Sequence, residues 1–160
     1  WLLPTGRLFL GAILLGIFTV LDTIDGLMAR RSGRSGPWGA FLDSTMDRFA
    51  DGAIFAGLVL WYTGRGDDRL TAIAALACLV LGAIVPYARA RAAGIGVDAN
   101  VGIAERGDRI LVSLVATGLV GLGVTHVLLT VALWLLAAAS LVTVVQRTLV
   151  VRREVRKAAP

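Results

Sequence analysis

Apolar positions in this chain run in long blocks, without the period-two alternation of half-buried strands. Five blocks are long enough to be read as helices crossing a bilayer: Leu8 to Ala29, Trp38 to Tyr62, Leu70 to Ala88, Ala104 to Gly121 and Thr125 to Gln146. The last two are separated on physical grounds. Between Arg109 and Arg147 no charged side chain occurs apart from His126, taken as neutral. A single straight helix over that stretch would overrun the hydrocarbon core of about 30 Å. Gly118, Gly121 and Gly123 offer the break. The expected fold is therefore an all-α polytopic helical bundle of five spans in one domain over residues 1–160. The chain opens on WLLPTGRLF without an initiator Met. At least one further helix upstream is expected.

Composition agrees with lipid as the solvent. Of 160 residues, 57% are hydrophobic and 17% charged, and mean hydropathy is +0.79. Net charge is +5, but the basic residues flank apolar blocks and show no nucleic-acid-binding pattern, so nucleic acid is not an expected partner. Arg30, Arg31, Arg34, Arg89, Arg91, Arg147, Arg152, Arg153, Arg156 and Lys157 fall on one side of the spans; Arg7, Arg65 and Arg69 fall on the other, with Asp67 and Asp68. The positive-inside bias puts the first set in the cytoplasm of a multi-pass protein of the cell membrane. Cys78 stands alone in an apolar run, a small core or lipid-facing residue with no partner for an internal disulfide.

Carboxylates at the ends of apolar helices are costly and need a purpose. Asp22 and Asp25 are three apart on one helix face; Asp43 and Asp47 are four apart on the next. A short turn-rich loop, RSGRSGPW, makes those two helices expected neighbours. Four like charges would then converge near the cytoplasmic interface and repel, unless a divalent cation joins them. Mg²⁺ or Mn²⁺ suits oxygen donors of this kind, with substrate phosphate completing the shell. Gly26 and Gly39 leave room for a ligand to approach backbone; close helix packing is the other reading of each. Salt bridges to Arg30 and Arg48, or an ion-coupled transport site, are the competing readings of the acids. Asp51 extends the stripe by another turn, away from the loop, and Arg48 or a polar group on another helix is its expected partner.

The stretch D22-x-x-D25-G26-x-x-A29-R30, followed after eight residues by G39-x-x-x-D43-x-x-x-D47, resembles the signature of the CDP-alcohol phosphotransferases, with every defining position filled. The resemblance implies a membrane enzyme of six transmembrane helices that forms homodimers, of which this chain would lack the first span. It implies Asp22, Asp25 and Asp43 as metal ligands, with two ions per site, and Asp47 as both metal ligand and general base. Gly26, Ala29 and Gly39 would shape the pocket for the cytidine of CDP-diacylglycerol, and Arg30 would contact its phosphates. CMP would leave as the phosphatidyl group passes to an alcohol.

The acceptor is addressed by YARARAAGIGVDANVGIAERGDRI, from Tyr87 to Ile110. Arg106 and Arg109 share one helix face, and arginine forks suit phosphate oxygens. A phosphorylated alcohol gains from such a cluster; ethanolamine, choline or serine does not. This stretch and that from Trp38 to Tyr62 resemble family members from actinobacteria that use inositol 1-phosphate. Carried over, that resemblance implies Arg89, Arg109 and Arg147 as holders of the acceptor phosphate, with Arg91 and Arg106 as second choices. The first position is usually lysine in those enzymes. A sister activity on glycerol 3-phosphate would need the same metal site and a similar phosphate grip.

Overall fold

A computed structural model describes the backbone of residues 1–31, 36–103 and 105–158, together with their side chains except at Thr23, Asp25, Gly26, Leu27, Ala29, Arg30, Arg31 and Ala158. The described chain is all helical: α1 (Leu8–Arg31), α2 (Pro37–Thr63), α3 (Arg69–Ala93), α4 (Arg106–Gly121) and α5 (His126–Ala158). Local chemistry sets the ends. Pro37 stands in the first turn of α2, where a missing N–H costs nothing. Asp68 caps α3 by accepting from the amides of Leu70 and Thr71. Gly123 takes φ +99° in the turn after α4, a left-handed conformation that glycine enters without a Cβ penalty.

Two helices run further than the apolar pattern indicates. α3 continues to Ala93 with Pro86 inside it, and α5 continues to Ala158. The basic tail from Arg152 to Lys157 propagates a helix well, because Arg and Lys are good helix formers. By length and hydropathy α3 and α5 qualify as bilayer spans, whereas the apolar stretch of α1, Leu8–Asp22, is shorter. Asp43, Asp47, Arg48 and Asp51 interrupt the first half of α2. α4 has 16 residues, about 24 Å of helix.

α3 is the central helix, packed between α2 and α5, and α4 joins α5 to α1. Its side chains permit close approach: Ala74, Ala75 and Cys78 are fully buried, and small residues let helices approach tightly where lipid supplies no hydrophobic drive. Cys78 lies in the core, free of any disulfide, and its thiol donates to the Leu133 carbonyl at 3.2 Å. Ile54, Phe55 and Leu58 of α2 and Leu129 and Leu133 of α5 complete this core. The expectation that α1 and α2 are neighbours holds where Asp22 of α1 meets Asp43 and Asp47 of α2. Among the described residues α1 lies chiefly against α4. Gly121 abuts the Phe9 backbone so closely that a Cβ there would stand 2.2 Å from the Phe9 nitrogen. α2 turns its apolar face to α3.

The outward faces are apolar. Phe18 and Leu135, on α1 and α5, are 68% and 66% exposed, and Ile13, Ile17, Val131 and Val142 lie open beside them. Soluble monomers rarely present so much contiguous apolar surface. A bilayer satisfies it.

Candidate active site

Asp22 in the second half of α1 meets Asp43 and Asp47 from the first half of α2. One carboxylate oxygen from each lies within 4.8 Å of the others. The cause is helical spacing: Asp43 and Asp47 stack one turn apart on α2, and α1 brings Asp22 up to them. Three converging carboxylates offer only hard oxygen donors, a set that fits Mg²⁺ or Mn²⁺ and suits neither soft nor imidazole-seeking metals. Asp25, Gly26, Ala29 and Arg30 lie on α1, but their side chains fall outside the described residues. Gly39 is exposed on α2, and a Cβ there would meet nothing within 4 Å. Among the described residues no helix packs against it, which leaves its backbone open on that side.

Beside the carboxylates lies a polar cavity of about 410 Å³. Arg48, Arg89, Arg106, Arg109 and Arg147 line it, against one acid, Glu105. The structure thus brings Arg89, Arg109 and Arg147 together from α3, α4 and α5. Arg91 is exposed and does not line this cavity: two residues on from Arg89, it points to a different side of α3.

Each arginine is held differently. Arg109 is 1% exposed, and its Nη2 donates to Asp51 Oδ2 at 2.8 Å. Gly82 makes room for it: a Cβ at Gly82 would stand 3.4 Å from both Cζ and Nε of Arg109. Pro86 has no N–H for the Gly82 carbonyl, and Arg48 Nη1 donates to that oxygen at 3.4 Å. Arg147 is also buried; its Nε donates to the Val101 carbonyl at 2.9 Å and its Nη1 to the Val85 carbonyl. Arg106 is partly exposed and binds two acids, Asp47 through Nη1 at 2.9 Å and Asp51 through Nε at 3.0 Å. Arg89 is exposed at the cavity wall.

Asp51 does pair with Arg48, at 3.5 Å, but Arg106 and Arg109 stand closer. Asp51 itself is only 5% exposed. The sequence carried a signal for it, the continuation of the Asp43, Asp47 stripe by four residues, without naming the arginines of α4 as its partners. Asn100 and Glu105 are also in the wall; Asn100 carried no signal in the sequence, because the α3–α4 connection shows no periodicity, and Glu105 only its place beside Arg106.

A third feature is an apolar groove of about 590 Å³ between α1 and α4. Ala12, Gly16, Val20, Ile110, Leu114 and Gly118 are among its walls, and it reaches Leu21, next to Asp22.

A family model described as CDP-alcohol phosphatidyltransferase matches residues 1–107. The chain belongs to this membrane-associated, divalent-metal-dependent family. It is 49% identical over 157 residues to the phosphatidylinositol phosphate synthase of Streptomyces avermitilis, covering 94% of this chain and 64% of that protein. It is 48% identical over 157 residues to the enzyme of the same name from Cutibacterium acnes, covering 94% of this chain and 76% of the relative. The chain thus spans about two thirds to three quarters of the length of these curated relatives. Among solved structures it resembles Mycobacterium tuberculosis phosphatidylinositol phosphate synthase with CDP-DAG bound, with a TM-score of 0.87 at 40% identity, over 94% of this chain and 76% of that one. The same enzyme in complex with manganese and citrate also gives 0.87 at 40% identity, over 94% of this chain and 73% of that one.

Proposed function

We propose that this protein transfers the phosphatidyl group of CDP-diacylglycerol to inositol 1-phosphate, releasing CMP and forming phosphatidylinositol phosphate. The observation that carries this reading is the junction of two sites. A carboxylate cluster for a divalent cation adjoins a cavity lined by five arginines, and the relatives at 48–49% identity bear the name of this activity.

Asp22, Asp43 and Asp47, with Asp25 as the family resemblance implies, would hold one or two Mg²⁺ or Mn²⁺ ions. When bound, such ions neutralise a diphosphate and stabilise the charge that develops on departing CMP. Gly39, Gly26 and Ala29 leave space for cytidine, and Arg30 meets the CDP phosphates. The groove between α1 and α4 has the lining an acyl chain needs and ends beside the carboxylates. Asp47 accepts the proton of the acceptor hydroxyl. Its contact with Arg106 supports that role, because Arg106 also lines the acceptor cavity. Arg89, Arg109 and Arg147 grip the acceptor phosphate.

Charge balance supports a phosphorylated acceptor. The cavity presents five arginines and one glutamate. Asp47 and Asp51 offset two more of those charges, which leaves a formal surplus of two. A phosphate monoester brings about that much negative charge near neutral pH; a free polyol brings none. The active site faces the cytoplasm, where the positive-inside bias puts the Arg89 and Arg147 ends of the helices. A homodimer is the assembly the family resemblance implies.

The test is CMP release from CDP-diacylglycerol by purified protein with Mn²⁺ or Mg²⁺, with inositol 1-phosphate, glycerol 3-phosphate, free inositol and serine in parallel. Inositol 1-phosphate should lead. If glycerol 3-phosphate leads, the acceptor assignment is wrong. Equal rates with free inositol would remove the phosphate grip altogether.

A further inference from the structure

Asp51 has no part in the metal reading, yet among the described residues it is the carboxylate with the most arginine partners. Its Oδ2 accepts from Arg109 Nη2 at 2.8 Å, and its Oδ1 from Arg106 Nε at 3.0 Å. Arg48 adds a third cation at 3.5 Å from Oδ2. All three arginines line the basic cavity. We propose that Asp51 is a positioning residue for the acceptor: its two oxygens fix the guanidinium groups of Arg106 and Arg109 in the cavity wall and so set the preference for a phosphate monoester over an unphosphorylated alcohol. This inference rests on the transferase reading above.

Geometry favours this role over simple structural pairing. Arg106 and Arg109 are three apart on α4, so their side chains emerge from the same face. An arginine free to rotate loses several torsions when it grips phosphate, whereas one already fixed by a carboxylate loses fewer. A purely structural pair also gains little, because buried ion pairs seldom stabilise more than apolar side chains of the same volume. Arg106 is the informative partner. It is shared with Asp47 at 2.9 Å, closer than Arg48 at 3.8 Å, so Asp51 fixes the side chain that most tightly joins the acceptor cavity to the carboxylate cluster. Without Asp51, Arg106 would be left to Asp47 alone and Arg109 would have no carboxylate among the described residues.

The experiment compares wild type, Asp51→Asn and Asp51→Glu in the full chain, in detergent with Mn²⁺ held constant. Initial CMP release is measured against each substrate in turn. D51N should raise KM for inositol 1-phosphate by about ten-fold or more, the equivalent of one charge-assisted hydrogen bond. KM for CDP-diacylglycerol should stay within about two-fold, as that substrate's polar determinants lie on α1 and the first half of α2 and its apolar groove does not include Asp51. The ratio of rates with inositol 1-phosphate and free inositol should narrow, and D51E should recover part of it. An unchanged acceptor KM with reduced kcat or melting temperature would overturn the proposal and leave Asp51 a structural residue.

If D51N folds poorly, the comparison moves to an Arg109→Gln background, where fewer charges are left unpaired. There D51N should raise the acceptor KM again, through Arg106; no further rise overturns the proposal. A separate arm uses inorganic phosphate and needs no turnover. Phosphate should raise the melting temperature of wild type and not that of D51N, and an equal rise in both counts against Asp51. If wild type releases no CMP with any phosphorylated acceptor, the transferase reading fails, while the phosphate arm still decides whether Asp51 organises an anion site.

Discussion

Arg106 holds Asp47 and Asp51 at the same time, with Nη1 2.9 Å from Asp47 Oδ1 and Nε 3.0 Å from Asp51 Oδ1. A cation bound by Asp22, Asp43 and Asp47 would share Asp47 with this guanidinium. R106Q should therefore act in opposite directions on two measurements. Apparent affinity for Mn²⁺ should rise, because a neighbouring positive charge is gone. Acceptor-dependent kcat/KM should fall by roughly ten-fold or more, because a charge-assisted donor is lost from the cavity. Titrating Mn²⁺ and inositol 1-phosphate separately checks both. A fall in both together would make Arg106 a support of the carboxylate cluster instead.

Asp47 is expected to be indispensable to turnover and less so to binding. D47N keeps size and one oxygen donor but cannot take a proton. CMP release should drop to background while CDP-diacylglycerol and Mn²⁺ binding are largely retained, as read by filter binding and calorimetry. Near-wild-type rates at saturating metal would remove Asp47 from the proton transfer.

How much of this was legible in the sequence differs by feature. The five helices follow from blocks of apolar residues broken by charge and glycine, and their ends deviate only where helix formers such as Arg152 to Lys157 or the residues after Pro86 prolong them. The meeting of Asp22, Asp43 and Asp47 follows from i,i+4 stacking and a short connection. The pairing of Asp51 with Arg48 was legible from their spacing; that the polar groups from another helix are Arg106 and Arg109 was not, because it depends on which helices pack together. Spacing along the chain suggested α1 against α2; the observed packing of α1 on α4 depends on the close approach of Gly121 to Phe9, which no periodicity announces. Nor does sequence reveal that Arg147 donates to two backbone carbonyls.

That close approach gives a stability prediction. With a Cβ 2.2 Å from the Phe9 nitrogen, G121A must push α1 off α4. Overpacking of this kind costs about 1–3 kcal/mol, so the melting temperature should fall. G16A, on the same α1–α4 groove but with nothing within 4 Å of the added Cβ, should leave it nearly unchanged. Equal effects of the two would mean that the helices separate without cost.

The far end of the bundle carries a pH-dependent cap. Asp68 precedes α3 and, although burial alone would raise its pKa, hydrogen bonds from the Thr71 hydroxyl and the Thr71 and Leu70 amides, with the charge of His126, hold it below its ordinary value. Thr130 of α5 also bonds within this cluster. A carboxylate lowered in the folded state contributes its stability fully above the unfolded pKa and loses it as pH falls through the folded one. D68A should cost about 0.5–2 kcal/mol at neutral pH. D68N, still a good cap, should cost less and flatten the acid limb of the melting curve below about pH 4. Unaltered acid sensitivity in D68N would place the titrating group elsewhere.

Arg147 bears on how the protein comes into being. From α5 it reaches the Val101 carbonyl in the α3–α4 connection and the Val85 carbonyl in α3, tying that connection down across the cavity. A nascent chain whose α5 is still in the ribosome already has every carboxylate of the cluster, and Asp51 to hold Arg106 and Arg109, but the α3–α4 connection is not yet tied down. On the proposed reading the carboxylate site thus forms before the arginine-lined cavity is closed, and synthesis itself delays competence until α5 has docked.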